Sequence, residues 1–222
     1  MNRDRLLINL VDLIDFESAG LPRAFIVGIT GPDASGKTTF AAEIVDSLSD
    51  KGRLVQPVHV DDFHRPRAER YAGDAPEHVK YLTQSFDLTA LVDNILVPAR
   101  SAAGLHRGFT HLNVATDEWS EYREYQIDQN TVVVVEGVLL LLPQVRPLLD
   151  LIVHLDVDEQ VAMARGVPRD LSLYPDARRR YQQKYLPAQR EVFAANPPHQ
   201  CAHIVIDNTS LTSPRVMRWC PR

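Results

Sequence analysis

The chain has 222 residues, a formal net charge of −5 and two cysteines. Apolar residues make up 45% of the sequence and charged residues 24%, which are ordinary values for a globular domain and exclude disorder or a fibrous repeat. The acidic balance disfavours a general nucleic-acid coat, and no stretch has the pattern of a signal peptide or a membrane span. We therefore expect a single cytoplasmic domain, 1–222, without a nucleic-acid or membrane partner.

The N-terminal part predicts an amphipathic helix and then a phosphate-binding loop. Leu6, Leu10 and Ile14 recur at helical spacing, and the apolar run 25–29 predicts a buried strand. The next residues, GPDASGKTT at 31–39, fit the P-loop pattern G-x-x-x-x-G-K-[ST], whose backbone N–H groups cradle phosphate at a helix N-terminus. The predicted nucleotide contacts in this loop are Gly31, Asp33, Ala34, Ser35, Gly36, Lys37, Thr38 and Thr39.

A second strand is predicted over 54–60, although it contains Pro57, which indicates an edge strand or a bulge. The strand ends in the acidic pair Asp61 and Asp62. Ligands of open α/β sheets bind beyond the carboxyl ends of the strands. This pair is therefore the second candidate for the site.

The segment from about 65 to 125 is predicted to leave the sheet on the substrate side. Residues 65–84 are polar and punctuated by proline and glycine, which favours a mobile loop over the site. Apolar residues at helical spacing over 86–96 predict a helix that Pro98 ends.

The pattern over 99–130 is weak, but alternation near residues 109–113 indicates a short hairpin. Two isolated histidines lie here, and either they are solvated or they contact a substrate: His106 and His111. They do not have the spacing of a metal cluster.

The run Thr131–Val135 is typical of a central parallel strand, and it ends in Glu136 and Gly137. Glu136 should face the same crevice as Thr38. It is either a direct or water-mediated Mg²⁺ ligand or a helix cap, and we favour the metal role because Gly137 leaves room for close approach.

The C-terminal third predicts a strand over 151–155, a helix from Val157 and a last strand over 203–207. Many cations lie between these strands, and a closing lid at about 165–180 could carry some of them to phosphate. Among them we favour Arg165 and Arg169, since exposed helical arginines are commonly only solvated. Asn208 and Thr209 are expected near the base of a bound nucleotide.

Strands near residues 25, 56, 133, 153 and 204, separated by helices, predict an α/β fold. We expect an open, doubly wound parallel sheet of about five strands, of the P-loop NTPase and kinase type, with helices on both faces. A mobile lid completes the single domain.

Several segments, in this order, resemble the uridine kinase and phosphoribulokinase group of P-loop small-molecule kinases, which also includes a bacterial type of pantothenate kinase. The segments are GPDASGKTT, VDDFHR, VVEGVLLL, LDVDEQVAMARGVPRD and RRRYQQKYLPAQREVF with CAHIVIDN. The resemblance implies transfer of phosphate from ATP, with Mg²⁺, to a hydroxyl of a small molecule. It implies that Asp61 rather than Asp62 activates the acceptor, with Lys37 and Arg169 as further catalytic residues. The implied metal positions are Thr38, Asp61 and Glu136.

Other segments depart from the uridine kinase pattern. Residues 79–83 replace the segment that carries a ribose-binding acid, residues 109–111 only faintly echo a base-binding segment, and Gly166 stands where many members have an arginine. The acceptor therefore stays open between uridine or a related nucleoside and a pantothenate-like or sugar-like compound. A GTPase is disfavoured because no Asn-Lys-x-Asp segment occurs, and a non-catalytic nucleotide-binding protein is disfavoured because both acids are present. A homo-oligomer is also left open.

Overall fold

The structure, a computed structural model, describes residues 2–221. Its centre is a six-stranded sheet in the order β2-β5-β1-β6-β7-β8, parallel except for β8 at one edge. The strands of this sheet are β1 Phe25–Thr30, β2 Leu54–His59, β5 Thr131–Gly137, β6 Leu151–Asp156, β7 Ile204–Asp207 and β8 Arg215–Trp219. A separate antiparallel hairpin consists of β3 Leu105–Asn113 and β4 Glu118–Ile127.

The sheet is covered on both faces, as predicted for a doubly wound fold. All residues of β1 and β5 are buried, because a parallel strand between two helical layers has no solvent face. One apolar cluster joins the sheet to α1 (Arg3–Ser18) and α2 (Lys37–Asp50), and another lies on the opposite face. The fold class predicted from the sequence is confirmed.

The remaining helical segments lie between β2 and β7. They are a 3₁₀ turn Val60–Phe63, α3 Arg67–Arg70, α4 Glu77–Gln84, α5 Leu88–Leu91, a π turn Val92–Leu96, α6 Val97–Ala99, a 3₁₀ turn Arg146–Leu148, α7 Glu159–Asp170, α8 Ala177–Arg180, a second π turn Tyr181–Tyr185, α9 Leu186–Ala195 and α10 Pro198–Cys201. None of the helices in the described part of the chain combines the length and apolarity needed to cross a bilayer.

Strand β2 is an edge strand, as Pro57 predicted, since an edge position tolerates the missing N–H. The strand ends at His59, earlier than expected, and the chain turns into the 3₁₀ segment that carries Asp61 and Asp62. Asp61 and Asp62 therefore lie in this turn and not in the strand.

The prediction of a mobile loop over 65–84 was wrong in part, because α3 and α4 lie within it. Pro66 and Pro76 occupy the positions just before these helices. Their φ angles near −54° already suit a helix start, so the prolines that suggested a loop mark helix N-termini. The buried residue of α4 is Tyr81. A single buried position does not form the repeating apolar pattern by which a helix is recognised from sequence.

The helix predicted over 86–96 continues past Pro98 to Ala99, so the prediction that Pro98 ends it was wrong. The π turn Val92–Leu96 lies immediately before this proline. A proline lacks the N–H donor and clashes with the carbonyl four residues earlier, and a local π turn relieves both problems. The same arrangement recurs where the π turn Tyr181–Tyr185 precedes Pro187 in α9.

Two further expectations need correction. The strand β7 does not close the sheet, because β8 in the tail pairs with it in antiparallel orientation. This edge strand has five residues, and none of their side chains is fully buried. The alternation of apolar and polar residues is therefore too short to identify a strand from the sequence. The hairpin β3 and β4 is also longer than the short one that was expected.

Candidate active site

The carboxyl ends of β1, β5 and β6 meet at one edge, and the P-loop connects β1 to α2 there. Gly36 adopts φ 91°, a left-handed conformation that glycine accepts without strain. A Cβ on Gly31 would lie 2.3 Å from the carbonyl oxygen of Leu155, so only glycine fits against β6. The loop geometry thus follows from the two glycines of the motif.

Most of the predicted site residues line one cavity of about 130 Å³ beside this loop. Its lining comprises Asp33, Ala34, Gly36, Lys37, Thr38, Thr39, Asp61, Glu136, Gly137, Val138 and Arg169. Segments 100 residues apart in sequence therefore meet where phosphate is expected.

The Lys37 side chain is buried, and its ammonium donates to the carbonyl oxygen of Pro32 at 2.8 Å. The lysine is thus folded back along its own loop. Ser35 is fully buried, and its hydroxyl has no hydrogen-bond partner within the described residues. An orphaned donor and a lysine held only by a carbonyl both suit a loop that receives phosphate oxygens.

The hydroxyl of Thr38 donates to Oε1 of Glu136 at 3.3 Å, which brings together the two predicted metal positions. Two oxygens at this separation suit neighbouring ligands of Mg²⁺, whose bonds are about 2.0–2.1 Å long and which takes one or two protein carboxylates plus phosphate. His59 at the end of β2 also bonds Oε1 of Glu136, at 2.9 Å. This hydrogen bond to Glu136 raises the pKa of His59 and fixes the carboxylate in place.

His59 was missed by sequence reasoning. Its register neighbour in the sheet is Glu136, so the contact follows from strand pairing that a sequence alone does not reveal.

Asp61 and Asp62 both line a cavity of about 540 Å³, but their other surroundings differ. Asp61 lines the phosphate cavity and also the neighbouring cavity on the substrate side. Asp62 lies 3.7 Å from the guanidinium of Arg123 on β4, away from the P-loop. The structure therefore places Asp61 at the boundary between the two cavities.

The neighbouring cavity measures about 220 Å³ and is bordered by α3, α4, α7, the segment after α8 and the P-loop. It is lined by Asp33, Asp61, His64, Arg70, Tyr71, Tyr81, Phe86, Val114, Arg169, Asp170, Tyr174, Arg180, Lys184 and Tyr185. We call it the acceptor pocket. Aromatic rings and charged groups of both signs form its walls.

Asp33 of the P-loop connects the two cavities. Its carboxylate accepts from the Gln189 amide at 2.6 Å and from the Tyr81 hydroxyl at 3.4 Å. Burial raises the pKa of Asp33, while Lys37 opposes that shift. The P-loop is thereby tied to α4 and α9, a link that the motif does not predict.

The two favoured lid arginines have different surroundings. Arg169 lines both cavities, and its guanidinium bonds Asp170 at 2.7 Å, which raises the arginine pKa further. Arg165 instead donates to the carbonyl oxygens of Asn208 and Thr209. Because the Asn208 amide donates to the Ser35 carbonyl at 2.7 Å, Arg165 connects the lid helix to the loop behind the phosphate cradle.

Gly166 stands in α7 for a steric reason. A Cβ at this position would lie 1.8 Å from the hydroxyl oxygen of Tyr181. That hydroxyl donates to Asp170 at 3.2 Å, so the ring of Tyr181 is fixed directly against the lid helix. The absence of a side chain at Gly166 thus permits this close packing.

The two histidines of the hairpin have separate environments. His111 is buried against Tyr125, with its Nε2 atom 2.9 Å from the tyrosine hydroxyl oxygen, and its burial lowers its pKa. His106 is exposed at the far end of the hairpin and pairs with Asp128 at 2.9 Å. No group of three or more His, Cys, Asp or Glu side chains within residues 2–221 has the geometry of a metal site.

The chain matches the family model "Phosphoribulokinase / Uridine kinase family" over residues 26–210. A uridine kinase of Limosilactobacillus reuteri is 25% identical over 155 residues, which are 67% of this chain and 66% of that protein. A uridine kinase of Clostridium perfringens is 26% identical over 155 residues, 68% of this chain and 71% of that protein. The chain thus spans about two thirds of the length of these relatives.

Among solved structures, a possible uridine kinase from Bacillus stearothermophilus superposes with a TM-score of 0.69 and 23% identity. The superposition covers 90% of this chain and 98% of that one. At this identity the likeness concerns the fold.

Proposed function

Because the chain belongs to the phosphoribulokinase and uridine kinase family, we propose that it transfers the γ-phosphoryl group of ATP, with Mg²⁺, to a hydroxyl of a small metabolite. One observation carries this proposal. Lys37, Thr38, Asp61, Glu136 and Arg169 line a single cavity at the P-loop, although they come from four separate parts of the chain.

The nucleotide side acts by binding and charge compensation. The P-loop backbone would hold the phosphates of ATP, and Lys37 would exchange the Pro32 carbonyl for a phosphate oxygen. Thr38 and Glu136 would hold Mg²⁺, which when bound supplies charge that compensates the phosphates. His59 keeps the Glu136 carboxylate oriented toward Thr38.

Asp61 is the proposed base. It lies in the wall that the phosphate cavity and the acceptor pocket share, so its carboxylate can accept a hydroxyl proton beside the phosphate. Arg169 lines the same two cavities and would stabilise the charge on the transferring group. Both residues thus act where the acceptor meets the nucleotide.

The acceptor is proposed to be a small hydroxyl compound. Uridine or a related nucleoside is the first to test, because the relatives above are named uridine kinases. A pantothenate-like or sugar-like acceptor is the alternative, because the acceptor pocket contains Arg70, Arg180 and Lys184. We place the reaction in the cytoplasm, in keeping with the two free thiols Cys201 and Cys220.

The test is a screen of ATP consumption across nucleosides, vitamins and sugars, with product identification by mass spectrometry. We expect one class of acceptor to produce ADP and a phosphorylated product only when Mg²⁺ is present. An Asp61→Asn variant, assayed in parallel, should not form that product at a comparable rate. If no acceptor yields a phosphorylated product while ATP still binds, the kinase function is wrong and a nucleotide-binding protein is the better description.

A further inference from the structure

Three cationic side chains line the acceptor pocket besides Arg169. Arg70 comes from α3, Lys184 from the π turn before α9, and Arg180 from α8. Two of these side chains, Arg70 and Lys184, are more than nine-tenths buried. A buried cation is costly unless an anion accompanies it, so their partners decide what the pocket binds.

Lys184 has no anionic partner of its own. Only 7% of the residue is exposed, and within residues 2–221 its ammonium makes no hydrogen bond or ion pair. Its nitrogen instead lies 5.3 Å from the ring centres of Tyr71 and Tyr81 and 5.4 Å from that of Tyr185. Burial, together with the nearby Arg180 and Arg70, lowers the pKa of Lys184, while Tyr71 and the carboxylate of Glu77 oppose that shift.

Arg70 is also incompletely satisfied. Its residue exposure is 6%, and its Nε atom is buried without a hydrogen-bond partner in the described chain. Its nearest carboxylate oxygen, on Asp117, is 3.4 Å from a terminal nitrogen, a long contact for a charged pair. The guanidinium therefore keeps donor capacity that the protein does not use.

The carboxylates of the pocket are committed elsewhere. Asp170 bonds Arg169, and Asp33 accepts from Gln189 and Tyr81. Asp61 lies at the phosphate side, where it is needed for the acceptor hydroxyl. The cations Arg70 and Lys184 are thus not neutralised from within the pocket.

We propose that the acceptor carries an anionic group, a carboxylate or a phosphate monoester, that Arg70 and Lys184 bind while its hydroxyl lies at Asp61. The cavity of about 220 Å³ shares Asp61, Val114 and Tyr174 with a wider cavity of about 540 Å³, so the buried cations, and not the pocket volume, select the acceptor. This inference rests on the proposed kinase function and selects, within it, an anionic acceptor over a neutral nucleoside.

The first experiment compares matched pairs of acceptors that differ only in the anion. The probes are glycerate and glycerol, pantothenate and pantothenol, and ribose 5-phosphate and ribose, with uridine as a neutral nucleoside, each with ATP and Mg²⁺. We expect turnover with the charged member of at least one pair and kcat/KM at least about 100-fold lower with its neutral counterpart. The carboxylate and phosphate pairs distinguish the two sources of the anion.

The second experiment removes the unpaired cation. Lys184→Met keeps the length and apolar packing of the side chain, and Lys51→Met, an exposed lysine paired with Asp12 on the opposite face, is the matched control. For the charged acceptor, Lys184→Met should raise KM by roughly 30- to 1,000-fold and change kcat much less. Lys51→Met should leave KM unchanged.

A third readout separates binding from structure and from catalysis. Because Lys184 is a buried charge without an anionic partner in the described chain, Lys184→Met should not lower the melting temperature, whereas a lysine held by a structural ion pair would. Calorimetric titration with the same charged probes, with a non-hydrolysable ATP analogue and Mg²⁺ present, should show affinity in the parent that Lys184→Met loses.

Two results would overturn the anionic acceptor. One is a kcat/KM for a neutral pair member that equals or exceeds that of its charged counterpart, or a kcat/KM for uridine that equals or exceeds those of the charged probes. This result would leave the kinase function intact. The other is equal calorimetric affinity for charged and neutral probes, or no affinity for either. If the charged probes bind through Lys184 but no probe is phosphorylated, the anion site stands and the kinase function fails.

Discussion

The phosphate side and the acceptor side of the site are built by different means. On the phosphate side, the P-loop, Thr38 and Glu136 follow directly from the ends of β1 and β5, which are buried over their whole length. On the acceptor side, the pocket takes its side chains from short helices and π turns that are far apart in sequence. Backbone and strand ends thus form one side, and side chains form the other.

This difference determines which parts of the site can tolerate a change of sequence. The P-loop is confined by backbone contacts, such as the carbonyl of Leu155 against Gly31, so few sequences produce it. The acceptor pocket is confined by individual side chains, such as Lys184 among three tyrosines, and a single substitution could change its charge. Specificity is therefore expected to reside in the acceptor side, and nucleotide chemistry in the phosphate side.

The largest effect is expected at Asp61, where the two sides meet. Asp61→Asn keeps the size of the side chain but removes the proton acceptor, so kcat should fall by roughly 10²- to 10⁴-fold. The measurement is kcat with the acceptor found by the screen, alongside ATP affinity, which should survive. Asp62→Asn, which loses only a 3.7 Å contact to Arg123, should cost much less. Equal losses of kcat in the two variants would show that Asp61 is not the carboxylate that activates the acceptor.

Lys37→Ala probes the phosphate side alone. Loss of a charged hydrogen-bond donor should weaken ATP binding by roughly 10- to 100-fold. Because the ammonium bonds only the Pro32 carbonyl among the residues that the structure describes, the melting temperature without nucleotide should change little. Fluorescence titration with a labelled ATP analogue, together with the melting temperature, measures both. An unchanged ATP affinity would contradict the P-loop assignment.

Glu136→Gln tests whether the Thr38 and Glu136 pair holds metal. A neutral amide oxygen ligates Mg²⁺ weakly, so the Mg²⁺ concentration at half-maximal turnover should rise by roughly 10-fold or more. The measurement is a Mg²⁺ titration at fixed ATP. His59→Gln, which removes the contact to Glu136 and leaves the carboxylate, is the control and should shift the requirement less. A wild-type metal dependence in Glu136→Gln would make Glu136 structural.

The two sides also differ in how far the sequence predicts them. The P-loop is contiguous and the strands beside it are apolar runs, so Thr38 and Glu136 could both be placed at the carboxyl edge of the sheet from the sequence. His59 could not, because its contact depends on which strand pairs with β5. Asp33 was predicted as a nucleotide contact, but its bonds to Tyr81 and Gln189 were not.

The acceptor side was predicted only in outline. A substrate-side excursion and a lid were expected, but α3 and α4 were taken for a loop because Pro66 and Pro76 suggested turns. Lys184 lay within a dense run of cations in which sequence offers no means of separating solvated residues from buried ones. Burial by residues more than 100 positions away, such as Tyr71 and Tyr81, made the distinction.

A smaller effect is expected in the lid packing. Gly166→Ala would place a Cβ 1.8 Å from the Tyr181 hydroxyl oxygen, so the unfolding free energy should fall by about 1–3 kcal/mol despite the better helix propensity of alanine. Chemical denaturation measures the loss. In a Tyr181→Ala background the same change should be neutral or stabilising. An equal loss in both backgrounds would show that the contact with Tyr181 is not the cause.

The smallest effect concerns acid stability on the phosphate side, where His154 lies in β6 with only 1% of its surface exposed. Burial, and secondarily the nearby Lys37, lowers its pKa to about 3. Between the unfolded value of about 6.5 and this lowered value, the unfolded chain binds a proton that the folded chain does not. Stability should therefore fall as pH falls, and from pH 6 to pH 4 this histidine alone should contribute a loss of about 2 kcal/mol. His154→Leu should flatten the pH dependence of the unfolding free energy over that range. Parallel curves for His154→Leu and the parent would mean that the acid sensitivity arises elsewhere, for instance at the buried His111 of the hairpin.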